Sequence, residues 1–534
     1  MQGFSKPARP LRLAAAFSVL LVCFGVVASS APATSHGQQH VGVSLEALGS
    51  FRTTEDEGRT AGYLESIRDQ PLLLHAFLWQ MPKGGDIHNH LAGAVYAEDF
   101  IAIGVRHNLC LDTSSYALSR PPCDAGMGRP ELATSLANGA LRNGIIDAWS
   151  MRNFQPTFES GHDHFFNSFG KFSLAGSFDV GDQLAAVASH AASQNELYLE
   201  LMHTVDGSAS ADLGSKVGWE SDLGELKSKL DAAGMRDIVS SSSRRLDEAE
   251  AQMRENLGCG GALADGGCDV TIRYLYQAIR TQPPERVFAQ FVLGFELAGI
   301  DPRVVGINLV APEDDYIALR DYTLQMSMLD YLYRQSPGVN ISLHAGELSP
   351  GLVPPADERF HIRQAIELGH ARRIGHGVDV MREDDPFGLL AEMSTREILV
   401  ETSLLSNEEI LQIRGLNHPL PIYLDSGVPV ALATDDEGVS RSDLTSEYQT
   451  AAETFGFGYA DLKRFARTSI ERAFLPGPDL WKSLDSQTMV AECDGELLPA
   501  ASISDRCQAF LDRSERARMQ WQLERELSAF EHGF

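Results

Sequence analysis

Short apolar runs recur along this chain between longer stretches of helical periodicity. Eight of them favour strands: Gly84 to His90, Glu196 to Met202, Met235 to Ser241, Arg303 to Val310, Val339 to His344, Arg372 to His376, Glu397 to Thr402 and Val428 to Thr434. Runs this apolar are buried on both faces, and their alternation with helical segments predicts a parallel sheet. Eight such units predict an α/β fold closed into a (β/α)8 TIM-like barrel. Residues 244 to 302 are too long for a bare loop and read as further helices.

The flanks have a different texture. Tyr63, Leu64, Ile67, Leu72, Leu73, Leu74, Phe77 and Leu78 fall at near-helical spacing, predicting a helical N-terminal extension over residues 34–80. The barrel is expected over 81–475. Residues 94 to about 150 are rich in Gly, Pro and Asn and read as an insertion, and 476–534 as a charged helical tail. Residues 1–33 run from Lys6, Arg9 and Arg12 through an apolar stretch to small residues, the order of a secretory signal peptide. The apolar stretch is short for a bilayer span of ~20 residues, so no membrane span is expected after cleavage. The mature protein is expected to be secreted or periplasmic.

Composition sharpens this. Outside the signal segment the cysteines form three close pairs, Cys110 with Cys123, Cys259 with Cys268 and Cys493 with Cys507, which in an exported chain predicts three local disulfides. Buried free thiols are the alternative. The formal charge is −29 from 44 cationic and 73 anionic side chains. Such a surface repels nucleic acid and disfavours polyanionic substrates, leaving a neutral small molecule as the better partner.

The chemistry sits at the ends of the apolar runs, where barrel enzymes gather catalytic groups. His88 and His90 are two apart on a predicted strand, so both imidazoles share a face and can converge on one ion. His344 ends another strand and offers a third nitrogen, and Asp435 an oxygen. Three histidines and one aspartate leave a position for water, as catalytic zinc requires. Glu347 is a carboxylate that need not touch the metal, His376 can orient or deprotonate the water, and Asp436 can accept a hydrogen bond from substrate or water. His162 and His164 imitate the first pair, but they open a predicted helix, where residues two apart diverge by roughly 200 degrees. They read as capping or lining groups.

His88-Asn-His90, His344-Ala-Gly-Glu347, Gly375-His-Gly377 and Thr434-Asp-Asp436 together resemble the motifs of the adenosine deaminases of the amidohydrolase superfamily. The resemblance covers residues 81 to 475. Met81-Pro-Lys-Gly-Gly-Asp-Ile-His88 is most similar to the secreted, growth-factor-related branch. It implies that His88, His90, His344 and Asp435 bind one Zn2+, that Glu347 moves a proton to purine N1, that His376 assists the attacking hydroxide, and that Asp436 holds water and base. It also implies an aromatic lid helix from Phe165 to Phe172, with Gly93, Phe166, Phe169 and Ala311 against a purine nucleoside.

Two departures concern the substrate. Ala92 stands where the family has an aspartate that meets a ribose hydroxyl, and Ala311 where it has a glycine whose backbone contacts the purine. The implied reaction is zinc-dependent hydrolysis of adenosine to inosine and ammonia. Alternatives are another 6-aminopurine, such as an N6-substituted adenosine, deoxyadenosine or adenine, and a secreted non-enzymatic signalling protein on the same scaffold. The N-terminal extension is a candidate element for a homodimer.

Overall fold

Eight parallel strands form the centre of the molecule: β1 (Gly84–His90), β2 (Glu196–His203), β3 (Thr271–Ile279), β4 (Val304–Val310), β5 (Asn340–Ala345), β6 (Arg373–His376), β7 (Leu399–Thr402) and β8 (Val430–Leu432). Each pairs in parallel with its neighbour in chain order. The ring closes just past β8, where the His90 N–H donates to Asp435 O (2.9 Å) and the Asp435 N–H donates to His88 O (2.9 Å). Closure therefore falls on three expected metal ligands. This computed structural model describes residues 54–483, 488–496 and 503–534; the expected signal peptide and residues 34–53 of the extension lie outside them.

The sheet is parallel because its strands are coated on both faces. β1 and β2 are buried along nearly their whole length, with helices outside and packed side chains within. Gly84 at the start of β1 has φ +73, and a Cβ there would stand 2.3 Å from the Ala466 carbonyl oxygen, so glycine is required where helix Tyr459–Arg472 presses on the barrel floor.

One expected strand is wrong. Met235 to Ser241 opens the long helix Met235–Asn256, and the third strand is Thr271–Ile279, inside a region expected to be helical. The apolar side chains Met235, Val239, Leu246, Ala249 and Met253 recur every three to seven residues, along one stripe of a helix. A short window caught only Met235, Ile238 and Val239 and could not tell the periods apart.

Helices Glu55–Ile67 and Pro71–Gln80 precede the barrel. Lys463 of the barrel helix ties the first of them to the C-terminal helix Glu515–Glu531 through Glu57 (3.0 Å) and Glu531 (2.5 Å), all three side chains being buried. The three expected disulfides are present: Cys110–Cys123, Cys259–Cys268 and Cys493–Cys507. The last sits in its own small apolar cluster with Leu480, Phe510 and Trp521. Among the described residues no helix is long and apolar enough to cross a membrane.

Candidate metal centre and active site

The C-terminal strand ends bring the expected residues together. Ligating atoms of His88, His344, His376 and Asp435 lie within 4.8 Å of one another, as do those of His90, Asp435 and Asp436. Three of the imidazoles are aimed by a partner on the far ring nitrogen. His88 Nδ1 donates to Glu401 Oε2 (2.6 Å), His90 Nδ1 to Gln277 Oε1 (3.0 Å) and His344 Nδ1 to Asn308 Oδ1 (2.7 Å). With the proton held on Nδ1, each Nε2 turns a lone pair inward, as is typical of histidines that bind a metal.

That geometry calls for a cation. His90 Nε2 and His344 Nε2 face each other at 3.1 Å, and His88 Nε2 is buried with no hydrogen-bond partner. Asp435 Oδ1 stands 3.5 Å from His88 Nε2 and 3.2 Å from His90 Nε2. Burial penalises positive charge on His88, yet Asp435 and Glu401 outweigh it and push its pKa up to about 10. The two carboxylates thus favour positive charge on the His88 side of the cluster, while burial, then His88 and His90, push His344 well below its ordinary range. Three imidazoles and one carboxylate are a zinc donor set, and the residues present fit the metal.

Beneath His88 runs a buried polar column. Glu401 accepts from Ser342 Oγ (3.0 Å) and pairs with Arg373 Nε (2.5 Å), and Arg373 Nη2 pairs with Glu200 (2.6 Å). Gly375 makes room: a Cβ there would lie 2.5 Å from His88 Cε1. Glu401→Gln replaces the acceptor that holds the His88 proton, and it is expected to weaken metal affinity by about 10–100-fold. Competition against a chromophoric chelator measures this; unchanged affinity would contradict the role given to Glu401.

His376 is held differently. The Leu420 N–H donates to His418 Nδ1 (3.1 Å), so the His418 proton is on Nε2 and donates to Asn407 Oδ1 (3.0 Å). Asn407 Nδ2 in turn donates to His376 Nδ1 (3.0 Å). A backbone N–H can only donate, so it fixes the polarity of the whole chain and leaves His376 a neutral ring with its proton on Nε2. Burial, opposed by Asp435, lowers the His376 pKa to about 4. Of the two roles expected for it, donation of a hydrogen bond fits this tautomer and proton abstraction does not. Its Nε2 faces Glu347 Oε1 at 3.7 Å.

Glu347 is buried, and burial, then Asp435 and then Glu313, raise its carboxyl well above the ordinary range, which favours its protonated form. Burial and the adjacent Asp435 push Asp436 up to about 8, and its Oδ1 is buried with no partner. Gly93 packs against Asp436 so closely that a Cβ would fall 1.5 Å from Oδ1. The site also stores backbone strain: Ala311 (φ +85), His376 (φ +68) and Asp435 (φ +66) are left-handed. Ala311→Gly removes one such cost, about 1–2 kcal/mol, against about 0.4–1 kcal/mol of unfolded-chain entropy. A gain in stability of between about zero and 1.6 kcal/mol is expected in a denaturant titration; a loss would contradict the strain.

Phe166 and Phe169 sit half-buried on helix Gly161–Gly176, which packs over the segments following β1, β7 and β8. Their ring contacts are with His162, Phe165 and Phe172, and among the described residues none reaches the histidine cluster. The imitating pair stays apart from it too. His162 bonds Asp163 and Asp314 at 3.0 Å, while His164 bonds Glu159 (3.0 Å) and the Asp147 and Ser150 carbonyls. Sequence reasoning missed Glu401, Asn308, Arg373, His418 and Gln277. A polar side chain inside a strand buried on both faces is the signal that marks the first three.

Residues 237–487 match the sequence profile described as Adenosine deaminase. The chain is 28% identical over 225 residues to an adenine deaminase of Sinorhizobium fredii, covering 42% of this chain and 64% of that one. It is 34% identical over 143 residues to an adenosine deaminase of Shewanella denitrificans, covering 27% and 40%. It thus spans well short of the full length of the curated relatives it matches. The crystal structure of Arabidopsis ADAL complexed with GMP is similar in fold, with a TM-score of 0.50 and 19% identity over 75% of this chain and 94% of that one.

Proposed function

We propose that this chain is a member of the adenosine deaminase family and that it hydrolyses adenosine to inosine and ammonia. The observation that carries this is the facing Nε2 atoms of His90 and His344 beside the buried carboxyl of Glu347, which burial and Asp435 raise well above the ordinary range. Zn2+, when bound among His88, His90, His344 and Asp435, supplies Lewis-acid charge that makes water a nucleophile near neutral pH. The chain's own groups do the rest. Glu347 gives its proton to purine N1 as oxygen adds to C6, which places the electron pair from the C6–N1 bond on a neutral nitrogen. The Nε2–H of His376 donates to the incoming oxygen, and the partnerless Asp436 Oδ1 meets the base or the water. The hydroxyl proton then passes to the exocyclic nitrogen, which leaves as ammonia as the C6–O bond becomes a carbonyl, and the proton released when the water became hydroxide returns to Glu347.

The substrate end supports a nucleoside without phosphate. Arg441, shortly after Asp436 in sequence, is committed to Glu98 (2.6 Å) and to the Tyr96 ring (4.9 Å). Ala92 lacks the carboxylate for a ribose hydroxyl, and the similarity to an adenine deaminase favours free adenine as the second reading. Values of kcat/KM for adenosine, deoxyadenosine, N6-methyladenosine, adenine and AMP separate these. Adenosine is expected to lead. A lead for adenine moves the assignment to the base, and no ammonia from any of them sinks the deaminase reading.

The three local disulfides support an oxidising compartment, secreted or periplasmic. With the N-terminal extension they favour the secreted, growth-factor-related branch. A homodimer through that extension is proposed on the same footing.

A further inference from the structure

β5 ends at Ala345, so the N–H groups of Gly346 and Glu347 have no strand to bond. Both donate instead to one carboxylate: Gly346 N–H to Glu313 Oε1 (3.2 Å) and Glu347 N–H to Glu313 Oε2 (2.7 Å). Glu313 follows β4 through Ala311 and Pro312 and is fully shielded from solvent. Its Oε1 accepts from His361 Nδ1 (2.6 Å), and the Arg280 guanidinium, with Nη1 at 3.8 Å, supplies the counter-charge. Burial works against that charge, yet His361 and Arg280 hold the carboxyl below its ordinary range.

The clamp is stiff at both ends. Arg280 also donates to the carbonyls of Leu309 (2.8 Å) and His344 (2.9 Å), joining the ends of β4 and β5. His361 stacks on Tyr322, with ring centroids 3.8 Å apart and planes 3° from parallel. Gly346 has φ +75, and a Cβ there would lie 2.5 Å from Asp379 Oδ1, so the turn has no room to shift that way. We propose that Glu313 is a positioning residue for the proton step, fixing the backbone of Glu347 so that its carboxyl meets the substrate nitrogen. This rests on the deaminase reading above and adds a residue that touches neither substrate nor metal.

Glu313→Gln keeps the size but turns an amide NH2 toward one of two N–H donors, a mismatch that loosens the turn. With adenosine as substrate, kcat is expected to fall by about 10–100-fold, the range for outer-shell partners, with KM and metal content little changed. The deciding measurement is the double-mutant cycle with Glu347→Gln. If Glu313 acts through the Glu347 proton, E313Q costs nothing further in the E347Q background, and the two variants agree within about twofold. The same fractional loss in both backgrounds, or a wild-type kcat for E313Q, overturns the proposal.

Should E313Q not fold, His361 carries the same test. Asn places its amide nitrogen where His has Nδ1, and Gln places it where His has Nε2. H361N is expected to keep kcat, and H361Q to lose it only where Glu347 is intact; equal activity of the two overturns the proposal. Failure here stays distinct from failure of the deaminase reading. A wild-type protein that releases no ammonia removes both, whereas an active wild type with an unaffected E313Q removes only the role of Glu313.

Discussion

Exchanging Glu347 for Gln is expected to lower kcat for adenosine by about 10²–10⁴-fold while the protein keeps its metal. Gln has the same shape and the same backbone clamp, but its amide has no proton to give at neutral pH. Glu347 belongs to neither group of side chains able to hold an ion, so metal content should be unaffected. Burial and the nearby Asp435 and Glu313 disfavour charge on this carboxyl and so favour its acid form, which is what the variant lacks. Ammonia release with parallel metal analysis checks both halves. Wild-type turnover would remove Glu347 from the mechanism; loss of metal would mean that the carboxylate reaches the ion.

Arg373→Met is expected to destabilise the fold by about 3–5 kcal/mol, the cost of stranding buried charge. Arg373 is 1% exposed and pairs with Glu200 and Glu401, both fully buried, and its guanidinium lies 3.8 Å from the centroid of the Phe474 ring. Met fills similar volume, so little of the loss comes from a cavity; it comes from two carboxylates left without a counter-charge inside the barrel. Glu401 also orients His88, so metal affinity should fall together with stability. Urea titration of the two proteins measures the difference. A change under about 1 kcal/mol would show that the column is hydrated or its carboxyls neutral, and that the ion pairs do not hold the barrel interior.

The ligands were legible because strand ends carry their own punctuation. Val339, Ile341 and Leu343 alternate with Asn340 and Ser342 as in a strand, and His344 follows at the place where a barrel strand meets its loop; Asp435 does the same after the apolar Val428 to Ala433. The supports were not legible, since Glu401, Asn308 and Gln277 reach their histidines across strands far apart in sequence, and such pairing exists only once the barrel closes. The missed third strand hid Gln277 and Arg280 altogether, because Met235 to Ser241 had taken its place. Asn407 to His418 shows another limit: the order of the two residues is plain, but the direction of the proton chain depends on a single backbone N–H at Leu420. The left-handed backbones at Ala311, His376 and Asp435 leave no trace in residue type, as none of them is glycine.

The central claim is that the strand-end cluster is one metal site serving deamination. It is tested most directly by stripping the protein with a chelator and following ammonia release from adenosine as zinc is returned. The account predicts no turnover by the stripped protein and a linear rise that levels off at one equivalent of zinc per chain. Turnover that survives stripping, or a fully zinc-loaded protein that leaves adenosine intact, would contradict it.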